Sequence, residues 1–251
     1  MIFISAVTVA FNEEQNIERC IRSLQNVADE IIVVDSFSTD RTKEICLSLG
    51  VRFVQHKFEG YIEQKNFGLS LAINEFILSL DADEELSETL QSSILEIKQN
   101  PIAEGYTMNR LNNYCGRWIK HCGWYPDRKL RIAKRESAAW GGDNPHDKLM
   151  LPQGATIKHL SGDLLHYSFG THEEYIKQQE KFAEISAMSY FKRGKKTTAF
   201  ALLFSPLFKF LKDYFFNLGF LDGSDGWSIC TTATHATYLK YKKLRALWSG
   251  K

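Results

Sequence analysis

Short apolar runs alternate with helical patterns over the first hundred residues, and this alternation constrains the fold more than any other feature. Residues 2–11 are nearly all apolar and β-prone, and residues 30–35, 51–55 and 75–80 repeat the pattern. Continuous runs of this kind suit strands covered on both faces, as in a parallel sheet. Between them, Ile17, Cys20, Ile21 and Leu24 fall at helical spacing within residues 14–24, and residues 41–49, 61–72 and 87–98 also read as helices. Thr39 or Asp40 can cap the second helix, Gly50 ends it, and Ser87 can cap the last. The order β-α-β-α-β-α-β-α, with right-handed crossovers, predicts a doubly wound parallel sheet. Ligands of such sheets sit beyond the carboxyl ends of the strands. Asn12, Asp35 and Asp81 follow or end predicted strands and are expected at one rim.

After Pro101 the alternation breaks. Residues 105–111 and 129–133 look like strands, separated by a loop rich in Trp, Tyr, Cys and Gly. Residues 140–147 (Trp-Gly-Gly-Asp-Asn-Pro-His-Asp) read as turn chemistry. Residues 164–169 form a short segment, and the pattern beyond Thr171 is helical with a break at 219–226.

With 251 residues, 44% of them hydrophobic and 24% charged, the chain can build a core as one large domain or two joined halves, and wholesale disorder is excluded. The net charge of +1 excludes a chain-wide basic excess of the nucleic-acid-binding kind. Charge is nonetheless uneven. From residue 171 onward 13 Lys/Arg face 7 Asp/Glu, a net of +6, which leaves 18 against 23, a net of −5, in the first 170 residues. Five cysteines at irregular spacing read as reduced, structural thiols. The apolar N-terminus lacks a basic leader region and reads as a strand, and no clean apolar run reaches membrane-spanning length. A cytoplasmic protein is expected.

The most informative chemical feature is Asp81-Ala82-Asp83, a carboxylate pair leaving a buried strand. Such a pair can offer oxygens to Mg²⁺ or Mn²⁺, which also retain substrate phosphate oxygens. The alternative is a solvated acidic helix start, since Glu84, Glu85 and Glu88 also favour a helix N-terminus. Neither a G-x-G-x-x-G nor a G-x-x-x-x-G-K-[ST] motif occurs, so a dinucleotide-dependent dehydrogenase or P-loop enzyme is not expected.

These pieces, in order, resemble glycosyltransferase family 2. They are Val9-Ala10-Phe11-Asn12-Glu13 with Asn16 and Ile17, Ile32-Val33-Val34-Asp35-Ser36 with Ser38-Thr39-Asp40 and Thr42, Gln64-Lys65-Asn66 with Gly68-Leu69, and Leu80-Asp81-Ala82-Asp83-Glu84. Downstream, residues 124–131 (Trp-Tyr-Pro-Asp-Arg-Lys-Leu-Arg) and Pro145-His146-Asp147 resemble bacterial β-glucosyltransferases of the lipopolysaccharide core. The resemblance implies an α/β GT-A fold, a Rossmann-like nucleotide-sugar-binding sheet, with a C-terminal helical extension. It implies a nucleotide-sugar half over 1–100, an acceptor and catalytic half over 101–170, and a basic helical tail over 171–251.

It also implies roles. Phe11 would lie against the uracil ring, where an aromatic face covers a base at low entropic cost. Asp35 would read uracil or ribose, Lys65 would stand near the base and phosphates, and Asp81 and Asp83 would reach the ribose and a diphosphate-bridging Mg²⁺ or Mn²⁺. Asp83 and His166 would be its protein ligands, a neutral imidazole suiting that role. Each also has a bland reading: Phe11 and His166 in the core, Asp35 as a cap, Lys65 solvated on a helix. Inverting transfer needs a base for the acceptor hydroxyl. Asp147 matches it, although that branch more often carries Glu there, and Asp143 competes from the same loop. His146 is as readily structural or acceptor-contacting. Trp124, Tyr125 and Arg128 would contact the acceptor, with Arg131 nearby and Asp127 orienting Arg128; core packing is the alternative for the tryptophans.

The expected activity is therefore transfer of a hexose, glucose first, from a UDP-sugar to a lipid-linked saccharide. The rival readings are a sugar-nucleotide pyrophosphorylase, against which the absence of a glycine-rich loop after the first strand counts, and a non-catalytic glycan-binding scaffold. Residues 197–220 hold seven Phe and one Tyr with basic clusters before and after. That pattern suits peripheral attachment to the inner face of the cytoplasmic membrane; packing on the catalytic domain or a dimer interface is the alternative.

Overall fold

The structure is a computed structural model that describes residues 1–143 and 146–249, with Asp143 and His146 described by backbone. Two units are distinguished: Met1–Arg110 with Asp127–Tyr167, and Leu111–Pro126 with Ser168–Lys251.

In the first unit, the predicted alternation is realised as β1 (Ile4–Ala10), α1 (Ile17–Leu24), β2 (Glu30–Asp35), α2 (Thr42–Ser48), β3 (Arg52–Gln55), α3 (Tyr61–Leu71) and β4 (Phe76–Asp81). These strands are parallel in the order β3-β2-β1-β4. Alternate side chains take opposite faces. Ile4, Ala6, Phe76 and Leu78 pack with Cys20 and Leu24 of α1 on one face. Val7, Ile32, Val34 and Ile77 pack with Leu69 on the other. A Cβ at Gly68 would stand 2.6 Å from Val7 Cγ1, so this glycine lets α3 lie directly on the sheet.

The chain continues as β5 (Glu84–Leu86), α4 (Glu88–Gln99), β6 (Gly105–Tyr114), β7 (Arg117–Ile119), β8 (Asp127–Lys134), β9 (Ala139–Asp143), β10 (His146–Met150) and β11 (Ile157–Phe169). The sheet extends from β4 as β8-β6-β11-β5, with antiparallel β4–β8, β6–β8 and β11–β5 pairs. Ser87 caps α4 by accepting from the Leu90 N–H.

Two sequence expectations and one alternative need correction. Within 140–147, the described residues 140–143 and 146–147 belong to an antiparallel pair, β9–β10, in which Trp140 faces Leu149 and both are buried against α3. Turn-prone residues masked that alternation. The short segment at 164–169 is the end of a thirteen-residue strand, β11. Its interior Gly162 has φ +92, and a Cβ there would stand 2.4 Å from the Leu90 nitrogen, so the strand passes α4 only with glycine at that point. Glu84 and Glu85 lie in β5, so the alternative of an acidic helix start at these residues does not hold.

The second unit contains α5 (His172–Lys192), α6 (Ala199–Phe210) and α7 (Gly223–Ser249). Its core joins Tyr114, Ile119, Cys122, Tyr175, Ile229 and Cys230 with the partly buried rings of Trp124, Phe169, Phe210 and Tyr214. Besides the expected break near 219, the chain breaks after α5, where Gly194 has φ +71 and Thr198 caps α6. Gly226, placed by sequence in the turn, lies inside α7. The five thiols are free, and only Cys115 is exposed. No helix among the described residues is long and apolar enough to cross a membrane.

Candidate active site

The carboxyl ends of β1, β2 and β4 form a rim because their registers align. Ala10 pairs with Asp35, and Val9 with Asp81. Phe11 leaves the rim 58% exposed, so its ring is not core. Asn12 holds the next turn by accepting from the Thr39 N–H at 2.8 Å. Asp35 is fully enclosed: its carboxylate accepts from the Ser38 N–H at 2.9 Å, from the Ser38 hydroxyl, and from Gln55 Nε2 at 3.1 Å. It braces the turn after β2 rather than capping α2. Asp40, one residue before the Arg41 N-cap of α2, accepts from the Thr42 N–H at 3.0 Å. That turn leaves Phe37 exposed with φ 63, a second bare ring at the rim.

Beside β4 stands a buried charge cluster. Lys65 reaches from α3 to Asp81 Oδ1 and to Asp147 Oδ2, each at 2.8 Å. The Trp140 ring lies 4.2 Å from the same ammonium. Burial opposes the Lys65 charge, but Asp81 and Asp147 outweigh it and leave its pKa above the ordinary lysine value. Lys65 is therefore neither solvated nor idle; it ties the first acid of the Asp-x-Asp pair to Asp147. Arg131, on β8, completes the cluster by donating to Asp81 Oδ2 at 3.1 Å and Glu84 Oε1 at 2.6 Å. Glu84 in turn accepts from the Asp81 N–H at 3.0 Å. Although burial raises it, the Asp81 pKa is held well below the usual carboxylate range by Lys65 and Arg131.

Asp83 points elsewhere. Its Oδ2 is 3.1 Å from His166 Nε2, and its carbonyl accepts from the Tyr167 N–H. The antiparallel β5–β11 pairing sets His166 opposite Glu84 and so beside the Asp-x-Asp turn. Glu13 is close enough that Asp83, Asp40 and Asp81 add to burial in raising its pKa, against the hydrogen bond from Asn16. Among the described residues no three His, Cys, Asp or Glu side chains could together hold a metal ion. One carboxylate and one imidazole still fit a divalent cation that takes its remaining ligands from phosphate oxygens and water, which is the usual habit of Mg²⁺.

The hairpin carrying Asp147 is pinned to α3 by Asn66, whose side chain donates to the Trp140 carbonyl and accepts from the Trp140 N–H, both at 2.9 Å. The competing acid Asp143 and the side chain of His146 lie outside what the structure describes, as does Pro145. Arg128 is exposed on β8. Asp127 does not orient it; its carboxylate pairs with Arg110 at 2.9 Å and Lys129 at 3.0 Å. Arg131, expected to face an acceptor, is buried on Asp81 and Glu84 instead. In the second unit, Trp124 packs edge-on against Tyr114 and Tyr175, and Tyr125 is half-buried.

Sequence reasoning missed Arg131 and Glu84 as partners of Asp81, and Asn66 as the hairpin's anchor. The one available signal was Glu84, a charged residue beside Leu86 at the start of a strand-length run. Nothing local marks Arg131, whose partners are set by the β4–β8 and β5–β11 pairings.

Residues 5–148 match the model of a family described as glycosyl transferase family 2. An uncharacterized glycosyltransferase of Rickettsia typhi is 31% identical, over 97% of this chain and 87% of its own. The lipopolysaccharide core biosynthesis glycosyltransferase LpsC of Rhizobium meliloti is 27% identical, over 96% of this chain and 91% of its own. Among solved structures, S. aureus TarS residues 1–349 in complex with UDP resembles the chain at 15% identity and a TM-score of 0.48, covering 99% of this chain and 92% of that one.

Proposed function

The chain belongs to glycosyl transferase family 2, and from that premise we propose that it is an inverting hexosyltransferase. It takes a hexose, glucose first, from a UDP-sugar and adds it to a hydroxyl of a lipid-linked saccharide, such as the inner core of lipopolysaccharide. The kinship with LpsC supports the acceptor class. The pyrophosphorylase alternative loses its ground with the family match.

The observation that carries the reading is the sharing of Lys65 between Asp81 and Asp147, each at 2.8 Å. Transfer needs a group that holds the diphosphate end of the donor and a base for the acceptor, a short distance apart and fixed in relation to one another. The Asp-x-Asp turn, assigned to the ribose and to a cation on the diphosphate, and Asp147, assigned as base, meet that need, and Lys65 is the positioning residue that joins Asp81 to Asp147. Phe11, exposed at the rim, offers a face to the base. In the proposed step Asp147 accepts the proton of the acceptor hydroxyl. The hydroxyl oxygen bonds to the anomeric carbon as the bond from that carbon to the phosphate oxygen breaks, with inversion, and UDP leaves. Lys65 adds positive charge beside the departing diphosphate. Asp83 and His166 would hold a divalent cation, which would neutralise diphosphate charge when bound. Arg128, with Trp124 and Tyr125, is assigned to the acceptor on the family resemblance.

The test is a panel of UDP-sugars given to the purified protein with Mn²⁺ or Mg²⁺, with UDP release as readout. Release from one UDP-hexose above all others, accelerated by a core saccharide acceptor, is expected. No release from any nucleotide sugar overturns the reading.

A further inference from the structure

Helix α6 is turned the wrong way round for a helix of a water-soluble protein. Phe200, Leu203, Phe204, Leu207 and Phe208 follow the i, i+3, i+4, i+7, i+8 spacing of a single helix face. All five are 41–66% exposed, and the rings of Phe200 and Phe204 stack on each other at 4.4 Å rather than on a core. The opposite side, with Pro206 and Phe210, is the one that packs inward. Past the helix the bare surface continues to Phe216, 82% exposed. A contiguous apolar stripe of this kind marks a surface that meets something other than water.

The charges around it say what. From residue 187 to residue 212 the chain has six basic residues, Lys192, Arg193, Lys195, Lys196, Lys209 and Lys212, and no acidic one; of these Lys209 pairs with Asp213 just beyond, at 2.7 Å. The first four lie exposed in the segment that leads into α6. A two-fold contact between copies would set this face against itself, with the four cations before α6 facing their own copies and no acid in that stretch to answer them. A bilayer bearing anionic lipids supplies both halves of the match: hydrocarbon for the rings and phosphates for the lysines.

We propose that the α6 face is a docking surface for an anionic lipid bilayer. Its apolar stripe enters the interface and its basic residues meet lipid phosphates. The biological reason rests on the proposed transfer to a lipid-linked acceptor, whereas the surface itself does not.

The test is co-sedimentation of the full chain with vesicles of phosphatidylcholine alone or mixed with phosphatidylglycerol. The bound fraction should rise with phosphatidylglycerol content and fall in high salt. The double variant Phe204→Ser/Phe208→Ser should lose binding to every vesicle. Lys192→Glu/Arg193→Glu should weaken binding to anionic vesicles on the order of tenfold or more. Both variants should keep the wild-type rate of UDP-sugar turnover in lipid-free buffer. Vesicle binding by a protein that turns over no UDP-sugar would sink the transferase reading and leave the docking surface standing. Indifference to all vesicles, or a lipid-free dimer that Phe204→Ser/Phe208→Ser dissociates, overturns the docking surface.

Discussion

The Lys65 ammonium donates to the Asp147 carboxylate at 2.8 Å, joining two side chains 82 residues apart in sequence. One comes from a helix that covers the parallel half of the sheet, the other from a hairpin pinned to that helix through Asn66. The candidate base is thereby held in a fixed relation to the Asp-x-Asp turn.

If Asp147 takes the acceptor proton, Asp147→Asn keeps the shape and removes the basicity. We expect kcat to fall roughly 10²–10⁴-fold, with donor affinity by calorimetry little changed. A larger fall for Asp143→Asn would move the role to that acid.

Lys65→Met removes the shared cation, leaving Asp81 with Arg131 alone and taking from Asp147 its ammonium partner. Turnover should fall, and unlike Asp147→Asn the change should also weaken donor binding, because charge beside the diphosphate is lost. Unchanged donor affinity in calorimetry would show that Lys65 serves Asp147 alone.

Asp83 and His166 are assigned to a divalent cation. Chelation by EDTA should abolish transfer, with Mn²⁺ or Mg²⁺ restoring it, and Asp83→Ala should lower the rate roughly 10²-fold or more. His166→Gln should raise the Mn²⁺ concentration needed for half-maximal rate. Full activity in EDTA would remove the metal from the scheme.

Arg131 neutralises Glu84, and both are buried. Arg131→Met leaves that carboxylate with Arg110 alone, at 3.6 Å, and should lower stability in urea denaturation. Adding Glu84→Leu should recover part of the loss. Equal stability of wild type and Arg131→Met would refute a structural role for the pair.

Asp81 has a native pKa held below its unfolded value, which is about 3.9. Its contribution to stability is therefore fully present above about pH 4 and is lost as pH falls from there through the depressed native value. Asp81→Asn should be less stable than wild type at neutral pH, and the gap should narrow in acid. A gap that widened in acid would contradict the sign.

Sequence by itself determined the parallel half of the sheet, since apolar runs and helical spacing are local and its inner strands β1 and β4, with most of β2, are buried on both faces. It also put Asn12, Asp35 and Asp81 at one rim, because the carboxyl ends of parallel strands share an edge, and the family resemblance marked Lys65, Asp83, Asp147 and His166 as candidates. Tertiary structure alone decided which charges meet. Lys65 joins Asp81 to Asp147, and Arg131 closes on Asp81 and Glu84, through crossovers and strand registers that no local pattern encodes. The same holds for the β9–β10 pair, whose turn-prone residues hid a buried Trp140–Leu149 pair, and for β11, whose glycine answers to a helix 72 residues earlier. Helix α6 shows the limit most plainly. Periodicity reveals that a helix has an apolar face, but only the packing of its neighbours decides whether that face is covered or left bare.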